Sequence, residues 1–426
     1  MFVELNSLGH IIISPAAEVL ENQEEWGPLT RSFGCTFVID PQNINAWTKS
    51  WKQSGKITPR SFHYFPHVKG NIRQVLEQNN MEPHEALYVT WNQQELGEAI
   101  NTRVSTVLMA ERWEAGNVLP DLFVTSVTRL EEELRDYLGG SMPGYFGEIT
   151  ATLVGRDRRP SGLRGRTIGN PPVAIDPDMQ PRVKIIALGR YFPTGDDRAR
   201  KHQYSQRILK SKNTKEPVLA KTLSFALKHV HSGNPFEVVT VVPPRPSGAG
   251  CLSGLQQTVR EACAQSGMMT LYSPEILTCK KAYPSQKHVP FNKRAENVEG
   301  KFKARIVSSA NHVVLVDDVL LSGSTCLECT RQILQAGVQY VTVIVFGFDQ
   351  RVVATNDDIV LPCPNPRCTE GTMSLKFNRS NWEAFWGCSN YTSNNCRATY
   401  PWGKGLQLLN SMNRTKDIFI FEDVPF

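Results

Sequence analysis

At 426 residues and 47.8 kDa the chain is too long for one ordinary core, which excludes a single small domain and predicts two or three. Hydrophobic residues at 40% and charged ones at 21% are the balance of a soluble globular protein, and the apolar runs break well short of the ~18 residues a membrane helix needs. The excess of 47 Lys and Arg over 41 Asp and Glu leaves +6, which permits nucleic acid as a partner without requiring it.

From the start, MFVELNSLGHIIISP carries an early Glu4 and lacks the basic opening and small-residue cleavage site of a secretory signal, so a cytoplasmic location is expected. Residues 1–138 alternate short apolar strands, TFVID, ALYVTW and STVLMA, with helical stretches such as 70–79 and 130–138. This is the rhythm of parallel α/β. A lone Asp40 at the end of TFVID reads first as a capping residue. The string CTFVIDPQNINAW at 35–47, with 63–100 after it, resembles the haloacid dehalogenase-like (HAD) phosphatases, and the resemblance sets Asp40 where their nucleophile stands. Gln42 replaces their second acid, and Thr90-Trp91 replaces the later metal-binding Gly-Asp. The oxygen ligands of an acyl-phosphate mechanism are therefore missing, which implies a catalytically silent HAD-like domain that scaffolds or docks a protein partner.

From 139 to 182 the chain turns to Gly, Pro and Arg, and a linker is expected there, with a short β excursion near 148–154. Periodicity returns over 183–358: strands at VKIIALGRYF, EVVTVVP, HVVLVDDV and YVTVIVFG alternate with helices at 217–229, 252–266 and 325–336, a second parallel α/β domain. Its strongest signal is VVLVDDVLLSGST, 313–325, a buried strand ending in two carboxylates, then a small-residue loop and a helix. A strand of this kind delivers its end to the crevice where open α/β sheets bind ligands. Asp317 and Asp318 suit the two hydroxyls of a ribose and a Mg²⁺ held through water. Ser322, Gly323, Ser324 and Thr325 suit a phosphate at a helix N-terminus. An N-capped turn would use the same hydroxyls, but adjacent acids at a buried strand end are costly without a ligand or metal.

These residues resemble the phosphoribosyl pyrophosphate (PRPP) motif of type I phosphoribosyltransferases, nearest to the competence-protein ComF group. QKHVPFNKRAENVEGKFK at 286–303 resembles that group's Gln, Arg, Asn-Val-x-Gly-x-Phe element, and EVVTVVPPRPSGAG at 237–250 stands where the family has its pyrophosphate loop. The resemblance implies PRPP or a nucleotide as ligand, with Mg²⁺. It sets Arg245 against pyrophosphate and Lys281, Lys287 and Arg294 in a hood over the acceptor; a solvated loop suits these hood cations as well. The family's Thr-Thr-Gly loop reads Leu321-Ser322-Gly323 here, a loss that binding survives better than turnover does.

After 358 the composition shifts to Cys, Asn, Trp and Tyr. Cys363, Cys368, Cys388 and Cys396 form two close pairs across a hairpin-length insert, the spacing of a structural zinc ribbon over 359–404, with a tail at 405–426. Phe385, Gly387, Cys388, Ser389 and Tyr391 resemble the ribbons of bacterial topoisomerases, which implies single-stranded nucleic acid as a partner of Arg379, Trp382, Trp386, Tyr391 and Arg397. The same aromatics suit the core of so small a module. The three resemblances together imply either a phosphoribosyltransferase-type ligand-binding protein or a component of bacterial DNA uptake, repair or phage defence of the retron type. The expected fold class is two parallel-sheet α/β domains plus a zinc ribbon, with no membrane partner.

Overall fold

The computed structural model describes residues 8–14, 32–39, 62–66, 71–96, 104–111, 119–138, 144–153, 164–169, 175–193, 202–246, 253–286, 293–305, 310–350, 362–368, 371–377, 384–391, 395–401 and 420–425, with isolated positions between them. The chain divides into two compact units, Met1–Gly144 with Leu361–Ile418 and Tyr145–Val360 with Phe419–Phe426. Among the described residues no helix is long and apolar enough to cross a membrane.

In the first unit, strands β1 (His10–Ser14), β2 (Gly34–Ile39), β3 (Phe62–Pro66), β4 (Ala86–Thr90), β5 (Ser105–Met109) and β6 (Leu122–Val124) form one sheet in the order β3-β2-β1-β4-β5-β6. Every neighbouring pair is parallel. Such a sheet must be covered on both faces, and alternate residues of the same strand serve opposite cores. Ile11, Ile13, Phe37, Leu87 and Val89 pack with Trp26, Leu130 and Leu134 of helix α2 (Val127–Leu138), whereas Ile12, Val38 and Tyr88 pack with Ile72, Val75 and Leu76 of helix α1 (Asn71–Gln78).

The two central strands are β1, HIIIS, and β4. In open parallel sheets the ligand crevice opens where the strand order reverses, here beyond the ends of β1 and β4, and β2 is one place removed from it. Asp40 and Gln42 lie outside the described residues. Thr90, at the end of β4, is buried, and its hydroxyl donates to Glu95 at 2.6 Å, as does that of Tyr88 at 2.7 Å. The same unit holds a three-stranded antiparallel ribbon, described with the cysteines below.

The second unit is built on β7 (Arg164–Gly169), β8 (Val183–Tyr191), β9 (Val238–Val241), β12 (His312–Leu320) and β13 (Tyr340–Asp349). Parallel pairing runs β8-β13-β12-β9, with β7 antiparallel on β8 and Ile420–Pro425 antiparallel on β7. Part of the stretch expected to link the domains thus belongs to this unit. Its residues near 148–154 form helix α3 (Phe146–Leu153), not a β excursion: Phe146, Ile149 and Ala151 are buried, and Thr150 donates to the Phe146 carbonyl at 2.7 Å. The terminal segment expected as a tail supplies the sheet's outermost strand.

Helices α4 (Gln203–Ser211), α5 (Pro217–Gly233) and α6 (Gly254–Ser266) follow the pattern their termini dictate. Pro217 opens α5, where a missing N–H costs nothing, and Ser253 with Gln256 closes a capping box on α6. Leu219, Leu223 and Leu227 of α5 and Val259 and Cys263 of α6 pack on Val239, Val241, Val314, Val316, Ile344 and Phe346 of the sheet. A small antiparallel pair, β10 (Leu277–Cys279) and β11 (Phe302–Ala304), with helix α7 (Arg294–Val298) between them, stands apart from the main sheet, and helix α8 (Ser324–Gln335) follows β12.

Candidate functional site

The carboxyl ends of β8, β9, β12 and β13 open into a cleft of about 440 Å³, lined among others by Tyr191, Arg245, Asp317, Asp318 and Asp349. Burial along β12 is complete from His312 to Val316 and relaxes at Asp317 and Asp318, so the strand core drives the two acids to the cleft edge. Each carboxylate accepts a backbone N–H of the next residue, Asp317 from Asp318 at 2.9 Å and Asp318 from Val319 at 2.8 Å. Beyond that their partners differ. The Cys326 thiol donates to Asp317 Oδ2 at 3.0 Å, and the Lys212 ammonium lies 3.0 Å from Asp318 Oδ2.

Burial, followed by the charge of Asp318 next door, pushes the Asp317 carboxyl up to about 7. For Lys212 burial alone would press downward, but the carboxylate of Asp318, with Tyr191 and Asp317 beyond it, holds the ammonium above its ordinary value. A carboxyl raised from about 4 in the unfolded chain contributes stability that is full below about pH 4 and lost as pH rises through about 7. The metal-free wild type should therefore lose melting temperature relative to Asp317→Asn between about pH 4 and 7, and little more above that. Parallel pH profiles for the two proteins would remove Asp317 from this role.

Past the acids the loop tightens at Gly323, whose φ of 72° is left-handed and where a Cβ would sit 2.8 Å from Val173 Cγ1, so only glycine fits on both counts. Gly323 occupies the N-cap position of α8 and has no side chain to cap it, while the Ser322 hydroxyl accepts the Ser324 N–H at 3.5 Å. Ser322, Gly323, Ser324 and Thr325 all line the cleft, with the Ser322 and Ser324 hydroxyls 3.0 Å apart, and the start of a helix is where an anion is favoured.

Of the expected catalytic residues, Asp317, Asp318 and Arg245 line the cleft, as do all four loop residues; Lys281 and Arg294 do not. Lys281 is exposed, and Arg294 Nε donates to the Val289 carbonyl at 3.2 Å. Lys287 lies outside the described residues. The segment that resembles the ComF element is held together from within: Gln286 donates to the Arg294 carbonyl at 3.2 Å, Asn297 donates to Gln286 and to the Pro284 carbonyl, and Glu328 accepts the Gly300 N–H at 3.1 Å. Val298 and Phe302 are buried, and Phe302 meets the ring of Tyr283. Tyr283, Ser285 and Gln286 reach the cleft, with Arg245 over the Tyr283 ring at 6.0 Å. Lys212, Tyr191, Asp349 and Tyr283 were not among the expected residues. Asp349 ends the strand YVTVIVFGFD beside the strand that carries Asp317, a signal the sequence does contain.

The ribbon comprises β14 (Met373–Phe377), β15 (Ala384–Cys388) and β16 (Thr399–Pro401), each antiparallel to the next. The sulfurs of Cys363, Cys368, Cys388 and Cys396 all lie within 4.8 Å of one another and could bind a metal ion such as zinc. Cys363 to Cys396 is 3.6 Å and Cys368 to Cys388 is 3.7 Å. Tetrahedral thiolates about 2.3 Å from zinc have edges of about 3.8 Å. Asn365 donates to Cys396 at 3.4 Å, and the Asn390 amide and backbone donate to Cys368 and Cys388. The Ala398 backbone N–H, then Asn365, lower the Cys396 thiol to about 6, whereas burial raises Cys388 to about 12, so a cation is what would hold all four as thiolates.

The expected nucleic-acid residues separate. Tyr391 is 55% exposed and Arg397 is exposed, while Arg379 and Trp382 lie outside the described residues. Trp386, expected as a stacking group, is 0% exposed and so is buried rather than offered to a base. Trp386→Ala should act on stability, at about 3–5 kcal/mol for a fully buried aromatic, and should show as faster loss of metal to a chelator. An unchanged rate of loss would return Trp386 to the surface.

No known family model matches the chain, and no curated protein matches it.

Proposed function

We propose that the cleft of the second unit binds a ribose 5-phosphate ligand, PRPP before others, together with Mg²⁺. One observation carries this: two carboxylates near the carboxyl end of a strand open onto the same cleft as the start of α8, whose N-cap residue is a glycine. Sugar hydroxyls and a phosphate need opposite partners, acceptors for the first and N–H donors for the second, and that cleft offers both side by side. In this reading Asp317 and Asp318 take the ribose hydroxyls, and Ser322, Ser324 and Thr325 take the 5-phosphate. Arg245, just past β9, takes the pyrophosphate.

The fit to Mg²⁺ rests on donor chemistry: two half-buried carboxylates are hard oxygen ligands suited to an ion that keeps its waters. When bound, Mg²⁺ supplies charge neutralisation for a departing pyrophosphate. The chain's own contribution is to orient the sugar, and to meet the pyrophosphate with Arg245 and Lys212, the two cations among the described cleft-lining residues. With Lys281 and Arg294 away from the cleft, binding is the primary function and phosphoribosyl transfer a subsequent step that an acceptor would reveal.

Titration calorimetry tests the reading. PRPP with Mg²⁺ should bind, ribose 5-phosphate should bind more weakly, and glucose 6-phosphate should give no heat. A flat PRPP titration on folded protein rejects it.

A further inference from the structure

Lys212 was not singled out by any motif, yet it sits at the centre of the cleft's electrostatics. It is the residue after α4, and its ammonium lies 3.0 Å from Asp318 Oδ2 with 34% of the side chain exposed. The backbone that carries it is braced at both ends. At the start of α4, His202 Nδ1 accepts the Ser205 N–H at 3.2 Å, and the Ser205 hydroxyl accepts the Phe192 N–H at 2.9 Å. Past its end, the buried Glu216 carboxylate accepts from Arg207 at 2.8 Å, and the Glu216 N–H donates to Thr258 of α6 at 3.0 Å. The perch is rigid and the side chain is not: lysine carries a compact, strongly hydrated charge on a four-carbon stem that swings at low cost.

The two acids are therefore unequal in the ligand-free cleft. Each accepts a backbone N–H, but the further partner of Asp317 is a thiol, whereas that of Asp318 is an ammonium. An ammonium at that distance covers a carboxylate oxygen that a hydrated cation would use, and it repels a divalent charge across the same few ångströms.

We propose that Lys212 is the resident counter-ion of Asp318, which keeps a bare divalent cation out of the empty cleft and releases the carboxylate when an anionic ligand takes over the ammonium. Metal then enters with the phosphorylated ligand rather than ahead of it, and a lysine outside the loop motif sets the order of binding. The identity of the ligand rests on the ribose-phosphate reading above; the exclusion of the bare cation does not.

Mn²⁺ titration of the full chain, followed by electron paramagnetic resonance of the free ion and with no organic ligand present, tests this directly. Lys212→Met should bind Mn²⁺ about tenfold more tightly than the wild type, as expected for removing one adjacent positive charge. Lys212→Arg, which keeps the charge, should behave as the wild type. Lys215→Met, which removes a cation three residues away that pairs with Glu261, should also match the wild type. Melting curves confirm that each variant is folded. Equal or weaker Mn²⁺ binding by Lys212→Met overturns the proposal, as does equal tightening by Lys215→Met. If PRPP fails to bind the wild type while Lys212→Met still tightens Mn²⁺, the ligand reading falls and the counter-ion stands. If PRPP binds and the Mn²⁺ affinities are equal, the counter-ion alone falls.

Discussion

Cys388→Ser should abolish metal retention and unfold the ribbon, leaving the second unit intact. Among the described residues of the ribbon the buried apolar side chains are Met373, Trp386 and the cysteines Cys388 and Cys396, a small apolar area against the entropy of ordering so short a module. Structural zinc sites in small modules contribute about 10 kcal/mol or more, and loss of one of four thiolates forfeits most of that. Gly371→Ala should have the same outcome without touching a ligand. A Cβ there would lie 2.4 Å from Cys368 Sγ and 2.7 Å from Cys388 Sγ, so the methyl group and the metal cluster exclude each other. Zinc content per chain, measured after gel filtration, should be one in the wild type and near none in both variants. A Gly371→Ala protein that retains its zinc would show that the sulfurs close around an ion elsewhere.

The second large effect is expected at the acids. Asp317→Asn combined with Asp318→Asn should weaken PRPP binding by at least about a hundredfold, because both sugar hydroxyls lose charged acceptors at about 1.5 kcal/mol or more each. Stability should move the other way. Burial holds the Asp317 carboxyl up to about 7, so near neutral pH its ionisation opposes folding, and the amide removes that cost. Affinity lost with melting temperature kept or gained is the signature of a group retained for a ligand. A parallel fall in both would mark the pair as structural.

How much of this was legible in the sequence depends on how local each signal is. The strand HVVLVDDVL, its tight loop and the helix after it form one contiguous run, and the four cysteines declare themselves by spacing. Both needed only periodicity and side-chain chemistry. Lys212 lies within SQRILKSKNTK, among lysines that one-dimensional reading cannot rank; only the fold brings this one to Asp318, more than a hundred residues on. Non-local pairing also hid one edge of the second sheet. RGRTIG and IFEDVP are separated by some 250 residues, and neither carries a strong alternation. The aromatic signature of the ribbon misdirected in one respect: Trp386 is fully buried, so it is not available to stack on a base. In the segment 286–303, cations read as reaching a substrate share their stretch with Gln286, Asn297 and Gly300, whose bonds hold the segment's own shape.

The most direct test is a crystal structure of the full chain grown with PRPP and Mg²⁺. The expected result is the 5-phosphate against the N–H groups of Ser324 and Thr325, with the ribose hydroxyls on Asp317 and Asp318. A sugar phosphate bound elsewhere, or that cleft vacant in crystals whose solution holds saturating ligand, would contradict the assignment.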